Sequence, residues 1–486
     1  MNVAKPKSVN TFLEREVKLT VEQRFRLPDL GGKPLPSRVL TSTYYDTPDF
    51  RLAYGGITLR RRVEQGTSLW QLKLPAGKAR QELEVKAGPG SPPQVLTDLL
   101  MAHVRAASLT EVAKLRTWRK GERIQAGEGN LADVVLDVVR VLHDRHVVRS
   151  FREIEIELVQ GDDAGFQDLE AQLRKAGAGD HDGRPKLFRA LDLPLPPVSE
   201  PPAPEAPTVD HLCFMVTRQV DTLLARDPGV RLGGAPDDVH QMRVAARRLR
   251  AILRAARPLL LSTWSEPLSV ELAWLGELLG HARDLDVQMA SFEREAETLD
   301  RRDRTPLIRF VRRLRSEREV KQQELLTGLR SERYLELVNQ LIEASRAPHI
   351  VVTDCTLPHL AAKAFKKLRK AVRGLRSDPT DAELHGIRIK AKRARYAAEL
   401  AETVTGKAAT RFIRRAKAFQ ELLGVHQDAV VGEQRIRALF AESKGRRAAF
   451  TAGRMVERQR QQRVQARAAF QSKWKRLNKR GKRAWG

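Results

Sequence analysis

The chain has 486 residues, 41% of them hydrophobic, and carries 88 Lys+Arg against 60 Asp+Glu, a net charge of +28. That length exceeds one compact core, and the apolar share is too high for a disordered chain, so two or three domains are expected. Two cysteines, Cys213 and Cys355, exclude a disulfide framework and a cysteine zinc cluster, and fit a reducing compartment.

The first ten residues contain lysines but no apolar segment behind them, which predicts no signal peptide. No run approaches the ~18 apolar residues of a membrane span, so a cytoplasmic protein is expected. The charge excess calls for a polyanionic partner.

In chain order, alternation predicts strands at 12–19, 58–63, 70–74, 134–141 and 151–159, with helices at 93–106 and 165–176. The expected fold of this half is α+β, an antiparallel β-barrel forming a tunnel with flanking helices. Because side chains alternate along a strand, Glu14, Glu16 and Lys18 share one face of the first strand. Glu153, Glu155 and Glu157 share one face of the last, with Ile154 and Ile156 on the other. Such carboxylate rows repel unless cations compensate them, and oxygen-ligated Mg²⁺ or Mn²⁺ is the natural compensator. Basic residues follow at Arg60 and Arg62, then Lys73, Arg80, Lys114, Arg116, Arg119 and Lys186. A barrel closed around both sets would let carboxylates hold metal while cations neutralise a phosphate chain, which suits phosphoryl transfer. Glu82 and Glu84 either line that tunnel or form an outer face.

Seven prolines in 194–207 mark a linker. Residues 1–200 hold 31 basic and 27 acidic residues, a net +4, which leaves +24 of the +28 beyond. The expected boundaries are 8–195, a linker at 196–207, and 208–486.

From 209 onward helical periodicity dominates, with breaks at Pro228, Pro258, Pro348, Pro358 and Pro379, and predicts an all-α bundle. It contains a duplication. Val239-His240-Gln241-Met242-Arg243-Val244 matches Leu384-His385-Gly386-Ile387-Arg388-Ile389. Farther on, Glu277-Leu278-Leu279-Gly280 followed by Asp284 recurs as Glu421-Leu422-Leu423-Gly424 followed by Asp428. The repeats are expected at about 208–346 and 347–472, with a basic arm at 473–486.

On a helical projection His240, Arg243, Arg247, Arg250 and Arg254 fall in a stripe of roughly 80°, opposite Met242, Ala245, Leu249, Ile252 and Leu253. His385, Arg388, Lys392 and Arg395 repeat it until Glu399 ends it. Stacked cations repel unless an anion lies along them, and arginine forks suit phosphate oxygens. Asp284 and Asp428 fit either a structural or a binding role.

The string Glu14-x-Glu16-x-Lys18, Tyr45-Asp46-Thr47, Leu59-Arg60-x-Arg62, Lys73, Asp137 and Glu153/Glu155/Glu157 resembles the CYTH, or triphosphate tunnel metalloenzyme, family over about residues 10–195. That resemblance implies metal ligation by Glu14, Glu16 and two of Glu153, Glu155 and Glu157. It implies triphosphate contacts from Lys18, Arg60, Arg62, Lys73, Lys114, Arg116 and Lys186, and catalytic roles for Lys18, Lys73 and Asp137, the last near a second metal or the attacking water. The second half, about 205–486, resembles the CHAD domain on its two histidines, the following basic columns and the two Glu-Leu-Leu-Gly-x3-Asp segments. This implies a duplicated four-helix bundle binding inorganic polyphosphate, both columns lining one groove between the repeats.

The leading expectation is a divalent-metal-dependent hydrolase of inorganic triphosphate, with polyphosphate held by the helical half and the protein at cytoplasmic polyphosphate granules. Adenylate cyclase, or thiamine or nucleoside triphosphatase, is the enzymatic alternative, disfavoured by an aromatic content of 5%. A silent barrel beside a polyphosphate-binding module is the non-enzymatic alternative. Nucleic acid ranks lower, because the basic stripes lack aromatic residues for base stacking.

Overall fold

A computed structural model describes residues 10–76, 79–126, 129–159, 163–196, 199–233, 236–351, 353–441 and 445–486, with backbone alone for 10–14, 163–164, 302 and 439. The chain divides into two compact units, Met1–Val198 and Ser199–Gly486.

The first unit opens with β1 (Asn10–Glu14), β2 (Glu16–Thr20) and β3 (Lys33–Asp46), then α1 (Arg51–Tyr54). Next come β4 (Thr58–Glu64), β5 (Thr67–Ala76), β6 (Ala79–Lys86) and α2 (Gln94–Val104). The long strands β7 (Thr110–Ala126), β8 (Gly129–His143) and β9 (His146–Leu158) follow, then α3 (Asp163–Lys175), β10 (Gly179–Asp180) and α4 (Lys186–Leu191). The strands form one antiparallel sheet in the order β1-β6-β5-β4-β3-β7-β8-β9-β2-β10. The expected closed barrel needs correction: the hydrogen-bonded ladder is open. β1 pairs with β6 at one edge and β2 pairs with β9 near the other. Since only Arg15 separates β1 from β2, the sheet must curl until its two edges meet at this crossing of the chain.

Alternation then sorts the strand residues. Outward-facing Val134, Leu136, Ile154 and Ile156 are buried against Leu169 and Leu173 of α3. Inward-facing Tyr44, Ala113, Leu115 and Val139 pack with Leu187 and Phe188 of α4 into an apolar plug. Polar inward positions beyond the plug are left around a cavity.

The second unit is helical: α5 (Thr208–Arg231), α6 (Pro236–Ala255), α7 (Ser262–Glu297), α8 (Arg301–Arg330) and α9 (Glu332–Arg346), then α10 (Leu357–Arg373), α11 (Asp381–Leu400), α12 (Glu402–Thr405), α13 (Lys407–Ala441) and α14 (Arg446–Trp485). Helices α5 to α8 correspond in order to α10, α11, α13 and α14, and α6 packs on α11 across the repeat. Met242, Ala245, Leu249, Ile252 and Leu253 are all buried. Pro228 does not break a helix. It lies three residues before the end of α5, so a bend there shifts only the last turn.

The basic arm at 473–486 is also corrected. Trp474 and Leu477 of α14 are buried in the core of the second repeat. Gly481 lets the helix approach the Phe365 ring: an added Cβ would lie 2.2 Å from it. Phe365 is itself buried, edge-on to Phe412, so the ring has little room to yield. Helix propensity favours alanine over glycine by about 1 kcal/mol, whereas overpacking costs about 1–3 kcal/mol. Gly481→Ala is therefore expected to destabilise the protein by about 1–2 kcal/mol in urea unfolding, and a gain in stability would show that the end of α14 is not docked.

Candidate functional site

Inside the curled sheet lies a cavity of about 750 Å³. The charged strand residues of its lining sit on the inward phase of their strands. Glu16 and Lys18 come from β2, Arg60 and Arg62 from β4, and Gln71 and Lys73 from β5. Arg80, Glu82 and Glu84 come from β6, Arg119 from β7, Asp137 from β8, and Glu155 and Glu157 from β9. Lys186, at the start of α4, enters from the plug side. Glu82 and Glu84 therefore belong to the lining.

Opposite charges are interleaved. Lys18 Nζ donates to Glu155 Oε1 at 2.5 Å and lies 3.2 Å from Glu16. Arg119 donates both arms of its guanidinium to Asp137, at 2.8 and 2.7 Å, and also reaches Glu155. Lys186 Nζ donates to Asp137 at 2.6 Å and to Glu155 at 3.0 Å. Glu153 accepts from Arg189 at 2.6 Å and faces His181 at 3.6 Å. Arg60 donates to Gln71 at 2.8 Å and to the Tyr44 hydroxyl at 3.3 Å, and Lys73 lies 3.2 Å from Glu82.

These contacts explain the titration behaviour. Burial opposes the charge on Lys18, yet Glu155 and Glu16 outweigh it and hold its pKa above the ordinary range. Lys186 is raised in the same way, against burial, by Asp137, Glu155 and Glu153. Burial would raise Glu153, but Lys186, His181 and Lys18 draw it down to about 2. Arg62 goes the other way. Burial and the neighbouring Arg60 and Arg119 guanidiniums push its pKa down, which marks a point of surplus positive charge.

Two predicted contacts are misplaced. Lys114 and Arg116 occupy the outward phase of β7, opposite in direction to Thr117 and Arg119, which line the cavity. The β7 run has no clean apolar alternation, so its phase was not readable alone. The register settles it, because Arg119 pairs with Asp137. Arg119, expected among the basic residues though not among the triphosphate contacts, takes the place of Arg116, and alternation counted from Asp137 was the available signal for it; Arg189 and His181 are the residues missed. Glu14 lies among the residues whose side chains are not described. Glu153 is fully buried outside the cavity lining, beneath Lys186 and Arg189. The segment Tyr45-Asp46-Thr47 turns out to hold the backbone. Asp46 is fully buried and accepts N–H bonds from Thr47, Leu52 and Ala53 at 2.7–2.9 Å, which ties α1 to the end of β3.

In the helical unit the two columns meet only in part. Arg247 and Lys392 lie close enough that Arg247 helps to lower the Lys392 pKa. Arg243 is 2.7 Å from Asp284, and Gly280 makes room for it: a Cβ there would lie 3.3 Å from the guanidinium. Gly424 stands in the same relation to Arg388, at 4.0 Å. Burial raises the pKa of Asp428, against Arg388 and Lys392 beside it. Burial and Arg283 lower that of His240. His385 contacts Gln427 at 2.8 Å. Arg250 and Arg254 continue the first column toward α11. Arg395 departs from the second: it is 6% exposed, ion-paired with Glu399 at 3.3 Å and laid over Tyr396.

A CYTH domain model matches residues 13–183, and a CHAD domain model matches residues 215–437. An uncharacterized protein of Mycobacterium tuberculosis strain H37Rv is 32% identical over 444 residues, 84% of each chain. Among solved structures, PptA from Streptomyces chartreusis is 22% identical with a TM-score of 0.46, covering 56% of this chain and 100% of its own. The CHAD domain of the plant Ricinus communis is 23% identical with a TM-score of 0.46, covering 57% of this chain and 94% of its own.

Proposed function

Since this chain belongs to the family of proteins that join a CYTH domain to a CHAD domain, we propose that its first unit hydrolyses inorganic triphosphate with Mg²⁺ or Mn²⁺ and its second binds inorganic polyphosphate. The observation that carries the first part is the composition of the cavity lining. Lys18, Arg60, Arg62, Lys73, Arg80, Arg119, Arg184 and Lys186 are set against Glu16, Glu82, Glu84, Asp137, Glu155 and Glu157, eight charges less six, for a net +2. A triphosphate chain brings more negative charge than +2 offsets, so divalent cations complete the neutralisation.

The residues present fit that cation by chemistry. Hard carboxylate oxygens suit Mg²⁺ and Mn²⁺, and Glu82 Oε1 is buried without a hydrogen-bond partner among the described residues. As they stand, no three acidic or histidine groups converge on one point among those residues, since Glu153 and Glu155 are turned onto cations. Glu16, Glu155 and Glu157, which line the cavity, are assigned as ligands together with Glu14, and Glu153 supports Lys186 from below. Bound there, the ion would supply charge neutralisation and Lewis acidity. The chain's own part is to bind and orient. Lys18, Arg60, Arg62, Lys73, Arg119 and Lys186 take the phosphate oxygens, and Asp137 fixes Arg119 and Lys186 in place. Preorganised cations of this kind act most strongly where negative charge grows in the transition state. Lys114 and Arg116, facing outward, have no part in this.

The test is phosphate release from triphosphate, ATP and thiamine triphosphate side by side, with Mg²⁺ or Mn²⁺. Turnover of inorganic triphosphate at least tenfold above the others in kcat/KM is expected, and none with any substrate would sink the enzyme reading. In the helical unit, Arg243→Ala with Arg388→Ala should weaken polyphosphate binding while leaving triphosphatase turnover unchanged.

Lys392 adds a pH dependence. Burial, then Arg388, Arg247 and Arg395, lower its pKa to about 8, with Asp428 opposing them. Polyphosphate favours the charged ammonium, so affinity is full below that pKa and declines as pH rises through it. His240, with its pKa pushed down, is already neutral there. A fall of about three- to tenfold in polyphosphate affinity between pH 7 and 9 is expected, and Lys392→Arg should flatten it. An equal slope in that variant would assign the effect elsewhere.

A further inference from the structure

A second cavity, of about 820 Å³, lies in the helical unit between α6, α10 and α11. Its walls and its floor differ in chemistry. Arg247, Arg250, Arg254 and Arg257 form one wall, from α6 and the turn after it. Lys363 and Lys367 of α10 and Lys390, Lys392 and Arg393 of α11 supply the rest. No carboxylate among the described residues lines the groove. Among the described residues Arg257 is the one member in an ion pair, 2.6 Å from Glu266. The other eight cations face one another with no ion pair among the described residues, Asp428 near Lys392 being the carboxylate that offsets part of their charge. Their mutual cost is visible at Arg254, whose pKa is pushed down by burial and by Arg250 and Arg393.

The floor is aliphatic, built from Ala251, Ala255, Leu360, Ala364, Ile389 and Ala397. Tyr396 joins it, 7% exposed, its hydroxyl buried without a partner among the described residues. In chemistry this floor distinguishes the groove from the cavity of the first unit, whose lining is mostly charged. A bare phosphate chain satisfies the walls and gains nothing from the floor. An apolar body resting there would gain about 25 cal/mol per Å² removed from water. The volume falls within the ~300–1,000 Å³ usual for small-ligand sites, and Arg247 to Arg254 span about 10 Å along the helix, a length for a short phosphate chain. Guanidiniums of Arg250 and Arg393 can also stack on a planar ring.

We propose that this groove binds a nucleoside polyphosphate, its phosphates on the arginine and lysine walls and its base on the aliphatic floor. It shares Arg247, Arg250, Arg254 and Lys392 with the columns assigned to polyphosphate, so the two ligands compete. The site does not depend on polyphosphate being bound at all.

Calorimetric titration of the full chain in EDTA, with adenosine tetraphosphate and inorganic tetraphosphate, tests this. The nucleotide is expected to show a site at least tenfold tighter than any for the inorganic chain. Ile389→Asn, at a residue 36% exposed and so tolerant of substitution, should erase that advantage while changing inorganic tetraphosphate binding less than threefold. Arg250→Gln with Arg393→Gln should weaken both ligands at this site. Equal affinities in the native chain, or an Ile389→Asn effect shared by both ligands, would overturn the proposal. Long-chain polyphosphate titrated into the same variants separates the two readings: its failure to bind leaves the nucleotide result standing.

Discussion

Arg119→Gln is expected to lower kcat/KM for triphosphate by about 100-fold or more, while Arg116→Gln, three residues away, changes it less than threefold. The guanidinium of Arg119 bridges Asp137 on β8 and Glu155 on β9, the first fully buried. Removing one preorganised donor from a transition-state site typically costs about 10²–10³ in rate. The same change removes one cation from each carboxylate, while Lys186 stays on both and Lys18 on Glu155, so a stability loss of about 1–3 kcal/mol accompanies it. Arg119→Lys restores the charge without the fork and should recover stability better than rate. Steady-state kinetics on each variant, with urea unfolding beside it, checks both numbers. Equal losses in Arg116→Gln and Arg119→Gln would mean that β7 presents its other face to substrate.

The second large effect is expected in stability alone. Asp46→Ala removes the acceptor of three backbone N–H groups, those of Thr47, Leu52 and Ala53. Each orphaned buried donor costs about 1–3 kcal/mol, and the carboxylate lies in a fully buried position that water does not reach. A loss of about 3–5 kcal/mol is expected in thermal or urea unfolding of the first unit. Per folded molecule, triphosphatase kcat should stay within threefold. Because burial pushes the Asp46 carboxyl pKa up against the pull of those N–H bonds, Asp46→Asn should cost less than alanine. A stable variant with kcat lowered tenfold would return Tyr45-Asp46-Thr47 to the chemistry.

These two residues show what the sequence exposes and what it hides. The carboxylate rows, the Arg60/Arg62 pair and Lys73 were legible because two-residue alternation is rigid once a strand and its inner face are known. The choice between Arg119 and Arg116 was not, because β7 mixes charged and apolar residues on both faces and only pairing with β8 sets its phase. The strand β3 carries Pro34 and Pro36, which disguise it as a loop. In the helical half the core face and the duplication were legible at 3.6-residue periodicity. The fate of Arg395 was not: a carboxylate one turn later, Glu399, captures it before it can face the groove. The basic run near the end looked like a free arm because charge masks the buried spacing of Trp474, Leu477 and Gly481.

The crossing at Arg15 has a consequence for shortened forms of the protein. A chain that starts at Glu16 keeps β2 on β9 but loses the partner of β6. The curled sheet then loses the strand that covers its β6 side, and the Ala79–Lys86 backbone is exposed as a free edge. Unpaired edges recruit strands from other molecules. Trimming those few leading residues should therefore make the protein self-associate through β6.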